Sequence, residues 1–249
     1  MGGASRNEKK RRQDAASQRL AAAGIEVPPR KAPNRTTIIV AAVLAVALVA
    51  GLAVWYFRSG PSASVAPTYT ATQAGAVVTV GSGPVIVDVY EDYLCPICER
   101  FEERYGTDLT TALNNNQITV RYHSVAILDE RTTPPGYSTR AANAALCSVA
   151  AGIFPAYHKQ LFESQPAEGS AGLTNDELIK LGTDLNAKGD FATCVNGGSN
   201  AGAIGAETEK AGSTPSLQTD GKFGTPTVAI GGKKIDLNDS SWLDDAIAG

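Results

Sequence analysis

The motif Cys95-Pro96-Ile97-Cys98 stands where one sequence pattern changes into another. Before it, residues 85–90 (VIVDVY) form a mostly apolar, β-branched run of the kind that makes a buried strand. After it, Phe101, Tyr105, Leu109, Ala112 and Leu113 recur at helical spacing, with Glu99, Arg100, Glu102, Glu103 and Arg104 between them. Cysteines three apart at the start of a helix share one face and lie close enough to form a disulfide and exchange it. Cys95, at the helix N-terminus, faces free N–H groups and the positive end of the dipole, which favour a thiolate and make it the nucleophile. Cys98, one turn inside, is placed to attack a mixed disulfide and release the substrate. Pro96 suits a first helical turn, where its missing N–H costs nothing.

The same pair read alone is also half of a zinc site or a small structural disulfide. A closed zinc site needs four ligands, and Cys147 and Cys194 are isolated and far apart, so no metal is assigned to the pair. A disulfide closing so short a loop would constrain little chain entropy.

The chain of 249 residues divides unevenly in charge. Residues 1–35 carry nine Lys or Arg against three acids, whereas the chain after residue 57 is strongly acidic. Between them, residues 38–57 (IIVAAVLAVALVAGLAVWYF) hold no charge, and 20 helical residues are enough to span a bilayer core. The basic flank upstream predicts a cytoplasmic segment 1–37, a transmembrane helix 38–57 and an extracytoplasmic remainder. Cleavage as a signal peptide near residues 62–66 is the competing reading, disfavoured by the length of the run. The basic run Lys9 to Arg12 fits orientation and anionic lipid, and no nucleic-acid motif accompanies it.

Residues 58–76, rich in Ser, Ala, Pro, Gly and Thr, read as a flexible linker, and the folded domain spans 77–249. Strands are predicted at 77–80, 85–90 and 118–122, with a helix over 96–113 between the last two. A helical insert follows at about 124–215, with helices at 137–151, 154–164 and 175–185, the last opened by a Thr174/Glu177 capping box. Residues 227–235 read as a hairpin turning at Gly231-Gly232, and residues 239–248 as a closing helix. All four cysteines fall after the apolar run, and an even count in an oxidising compartment favours disulfides. A Cys147–Cys194 bridge would staple the insert; a second redox pair or two free thiols are the alternatives. His123, at a strand end, and His158, at helical spacing, read as packing or solvent-facing residues rather than ligands.

The stretch VIVDVYEDYLCPICERFEERYG, together with FPAYHKQLFESQ, DFATCV and GTPTVAIGG in that order, resembles the DsbA-like branch of the thioredoxin superfamily, in particular its actinobacterial membrane-anchored members. The resemblance covers residues 77–249. It implies an α/β thioredoxin fold with a helical insertion and a thiol-disulfide oxidoreductase acting through Cys95 and Cys98. It further implies that Thr225-Pro226 is the dipeptide whose proline is cis and which faces the active pair, with the Thr225 backbone free to pair with a substrate peptide. Pro96, Ile97 and Asp92 are tuning positions: strongly oxidising members carry His where Ile97 stands, and Asp92 matches an acid common in this branch. The family often places an acid six residues before the first cysteine, where this chain has Val89, and Asp88 points to the other face by strand alternation. The implied activity is disulfide donation to reduced or unfolded exported proteins, followed by reoxidation by a membrane partner of the DsbB or vitamin K epoxide reductase type, with no organic cofactor. The rival functions are a reductase or isomerase, and a peptide-binding module or chaperone without redox activity.

Overall fold

A computed structural model describes residues 65–249, together with Glu8, Arg11, Ala15 and Ala22. The expected membrane helix at 38–57, nearly all of the basic segment 1–37 and the linker up to residue 64 lie outside the described residues. Among the described residues no helix is long and apolar enough to cross a membrane.

Among the described residues six strands form one sheet in the order β1-β2-β4-β3-β5-β6, with β1 at Ala71–Ala74, β2 at Val77–Gly81, β3 at Val85–Glu91, β4 at Ile118–Ser124, β5 at Thr227–Ile230 and β6 at Lys233–Lys234. β3 lies inside the sheet, parallel to β4 and antiparallel to β5, and every other pairing is antiparallel. Helix α1 (Pro96–Asn114) crosses from β3 to β4 and buries Cys98, Phe101, Tyr105, Leu109, Ala112 and Leu113, the stripe its spacing predicts. Five further helices fill the gap between β4 and β5: α2 (Tyr137–Ala150), α3 (Phe154–Glu163), α4 (Asn175–Asp184), α5 (Phe191–Gly197) and α6 (Ala201–Ser213). α7 (Trp242–Ala248) closes the chain.

Alternation along β3 assigns its two faces. Val87 and Val89 are fully buried in the main core with α1, α2 and α3, while Tyr90 joins a smaller cluster with Val125, Ala211, Leu217 and Ala229. The turn into β3 is tight: the Gly83 N–H donates to the Ile118 carbonyl at 3.1 Å, and a Cβ on Gly83 would stand 2.2 Å from the Ile118 nitrogen. Only glycine fits that approach.

Three expectations need correction. The segment expected to be tether through residue 76 contains β1, which folds back on β2 through a two-residue turn at Gly75-Ala76. Its sequence, ATQA, lacks the β-branched alternation that marks a strand, so its backbone pairing with β2 decides. The closing helix begins at Trp242 rather than residue 239, because Asp239 is spent on a turn in which its carboxylate accepts the Ser241 N–H at 2.9 Å. His123 and His158 do pack, against Tyr90 and against Tyr122 and Phe154, but neither faces solvent and both are also hydrogen-bonded to carboxylates.

The insert holds a Cys147–Cys194 disulfide joining α2 to α5 across a sequence separation of 47. Replacing both cysteines by alanine, which leaves no unpaired thiol, is expected to lower stability by about 2–5 kcal/mol in urea unfolding of the full chain. An unchanged midpoint would show that the bridge contributes nothing to stability.

Candidate active site

Cys95 is the N-cap of α1 with Pro96 at the first helical position, so the helix starts at the motif as the proline dictates. The loop before it is fixed from two sides. The Asp92 carboxylate accepts N–H groups from Leu94 and Leu128, each at 2.9 Å, and the Gln165 amide donates to the Tyr93 and Cys95 carbonyls at 3.0 and 3.2 Å. The Asp92 carboxylate therefore holds the loop that leads into Cys95. Burial raises its carboxyl to about 6 against these hydrogen bonds, and the Cys95 charge adds to the rise.

Cys95 and Cys98 are free thiols in very different surroundings. Cys95 keeps 6% of its surface and Cys98 none. A hydrogen bond from the Cys98 thiol brings Cys95 down to about 6 against the opposing effect of burial, and the Thr225 side chain and the backbone N–H groups of Cys98 and Ile97 add to it. Burial, and the thiolate of Cys95 beside it, push Cys98 well above the usual thiol range. One thiol is ionised near neutral pH and reachable; the other is protonated and covered. That asymmetry is what thiol-disulfide exchange requires of an attacking and a resolving cysteine.

Thr225-Pro226 faces the pair. Its peptide bond is cis, as is that of Thr133-Pro134, and the Cys95 sulfur lies 3.3 Å from the Thr225 carbonyl oxygen, to which it donates only while protonated. The β3–β5 ladder starts at Thr227, so Thr225 lies just ahead of the paired backbone. Ile97 is 53% exposed and borders, with Arg100, Phe101, Pro226 and Leu237, an open groove beside the cysteines. The structure thus gathers Cys95, Pro96, Ile97, Cys98, Thr225 and Pro226 at one end of the sheet, with Asp92 behind them.

Residues 75–248 match the profile of a thioredoxin family. The chain belongs to that family. Its fold and its cysteine pair are DsbA-like. Among solved structures, the oxidised DsbA of Mycobacterium tuberculosis is 27% identical, with a TM-score of 0.59 over 72% of this chain and 90% of that one. The reduced disulfide oxidoreductase DsbG of the same organism is also 27% identical, with a TM-score of 0.57 over 75% of this chain and 83% of that one. MdbA of Corynebacterium diphtheriae, at 20% identity and a TM-score of 0.63 over 74% and 96% of the two chains, shares the fold. A curated relative, the serine/threonine-protein kinase PknE of Mycobacterium tuberculosis, is 32% identical over 174 residues. Those residues are 67% of this chain and 30% of the kinase, so this chain spans less than a third of that relative's length.

Two charged clusters flank the DsbA-like centre and were missed in sequence. On the Tyr90 face of β3, Asp88 bonds both Arg121 and His123, and the other His123 nitrogen lies 2.7 Å from Glu207 of α6. Burial alone would raise Asp88, but the bonds from His123 and Arg121 carry it below its ordinary value. Asp88 is thereby committed to tying α6 to the sheet. On the Val89 face, one pleat further on, Glu91 is fully buried and bonds His158 of α3 at 2.5 Å. Burial would lower the His158 imidazole, yet Glu91 and Glu102 raise it to about 9. Glu91 thus puts a buried acid on the face where the family pattern expects one, two residues later than Val89. Alternation from Val89 to Glu91 was the available signal.

In the reduced protein, thiolate absorbance is expected to develop with a midpoint near pH 6, assigned to Cys95 by its loss in Cys95→Ser. Because folded Cys95 titrates below its ordinary value of 9.0, it stabilises the reduced fold above that value, and the gain is lost as pH falls through about 6. The stability of the reduced form relative to the oxidised form is therefore expected to increase from pH 6 to pH 8, as measured by paired urea unfolding. A difference that is flat or falls over that interval would contradict the assignment.

Proposed function

We propose that the chain is an extracytoplasmic disulfide donor that oxidises newly exported proteins through Cys95–Cys98, and that residues 38–57 hold it to the membrane with residues 1–37 in the cytoplasm. The observation that carries the direction of transfer is the contrast between the two thiols: an exposed edge and a value near 6 at Cys95, full burial and a raised value at Cys98. A stabilised Cys95 thiolate is a good leaving group and favours the reduced enzyme, which makes the disulfide form an oxidant.

In the forward step a substrate thiolate attacks the Cys95 sulfur, the Cys95–Cys98 bond breaks, and its electron pair leaves on Cys98, which takes up a proton. A second substrate thiolate then attacks its own sulfur in the mixed disulfide, forming the substrate disulfide and expelling Cys95 as thiolate. The Thr225 backbone, ahead of the β5 ladder, is placed to pair with an extended substrate, and Ile97, Phe101 and Leu237 offer it an apolar groove with Arg100 at the side. No organic cofactor takes part, and the cycle closes when a membrane partner of the DsbB or vitamin K epoxide reductase type withdraws the two electrons. Ile97, where stronger oxidants carry His, sets the chain between them and thioredoxin in oxidising power.

Oxidation of a reduced, unfolded substrate by the full-length protein is expected to fall to the uncatalysed rate in Cys95→Ser. Rapid alkylation in cells is expected to find Cys95 and Cys98 mainly disulfide-bonded. Unchanged oxidation in the variant would refute catalysis by this pair, and a mainly reduced pair in cells would place the chain among reductases or isomerases instead.

A further inference from the structure

Glu91 of β3, Glu102 of α1 and His158 of α3 converge away from the groove, with one ligand atom from each lying within 4.8 Å of the others. We propose that these three side chains bind one divalent transition-metal ion, zinc by its ligand preference, at a site separate from the cysteines.

The first support is unsatisfied bonding capacity. Glu91 has no exposed surface, and one of its oxygens bonds His158 while Oε2 is buried without a partner. Glu102 Oε1 is likewise buried without a partner. A buried carboxylate oxygen that meets no donor is costly, and one such oxygen on each of two carboxylates that meet at His158 marks a place for a cation. Charge supports the same reading. Two carboxylates face a single imidazole, and a divalent ion with a neutral imidazole would balance both charges.

Access is the third support. Glu102 and His158 line a cavity of about 450 Å³ between α1 and α3, walled by Tyr122, Phe154 and Phe162. The cavity gives an ion an entry path and leaves room for a fourth ligand from solvent. One imidazole and two carboxylates with an open position is a zinc-type donor set, while calcium and magnesium call for more oxygens than the cluster holds.

The untagged full-length chain, purified in detergent, is stripped with chelator, oxidised at Cys95–Cys98 so that no thiol competes, and then given zinc. One equivalent is expected to stay bound through gel filtration, with a rise in Tm. Cobalt in its place is expected to show ligand-field absorption without a thiolate charge-transfer band. His158→Gln and Glu102→Gln are each expected to weaken binding at least about tenfold. His158 lies in the core, so Glu102→Gln, at the cavity wall and checked for folding by circular dichroism, is the deciding variant. A folded wild-type chain that retains no zinc, or a folded Glu102→Gln that binds like wild type, would leave the cluster as a hydrogen-bonded charge network and overturn the metal site.

Discussion

The placement of Cys95 at the N-cap of α1, with the Cys98 thiol donating to it from one side and Thr225 against it on the other, is the interaction on which the remainder of the molecule depends. Each contact comes from a different part of the chain. Cys98 is supplied by the helix itself, Thr225 by the approach to β5 some 130 residues later, and the backbone that aims Cys95 by Asp92 and Gln165. A helix N-terminus alone stabilises a thiolate modestly; a donor thiol and converging backbone N–H groups in a water-poor setting do so far more effectively.

The sheet and the insert serve that placement in separate ways. β3 is paired on both sides from Val87 to Tyr90 and to β4 as far as Glu91, so the loop from Asp92 to Cys95 begins at the end of a hydrogen-bonded ladder. The insert then folds over the end of the strand: Leu128, from the loop that leads into it, binds Asp92, and Gln165, just past α3, binds the carbonyl of Cys95 itself. The Cys147–Cys194 bridge ties α2 to α5 within the insert. Two cysteine pairs thus coexist in one domain, one closed as a bridge and the other present as two free thiols.

Much of this was legible in sequence because it rests on short-range pattern. The stripe from Phe101 to Leu113, the Thr174/Glu177 capping box and the β-branched run before the motif all report local structure, and all three elements form. The Thr225-Pro226 position was legible through resemblance rather than physics, since nothing local announces which proline faces a cysteine. Of the charged clusters, only the face on which Glu91 lies was legible, through alternation along β3. Asp88 meets Glu207 only through His123, and Glu91 meets His158 only when α3 packs on the sheet, so neither contact has a sequence-local signature. β1 escaped for a related reason, being a strand by virtue of its partner and not of its own residues.

The central claim is that the surroundings of Cys95 make the Cys95–Cys98 disulfide an oxidant. Its reduction potential, measured by equilibrating the full-length protein with a glutathione redox buffer at neutral pH, tests that claim most directly. A disulfide-donating pair is expected to show a value above thioredoxin's, about −270 mV, and below that of the most oxidising DsbA, about −120 mV. A value at or below thioredoxin's would contradict it.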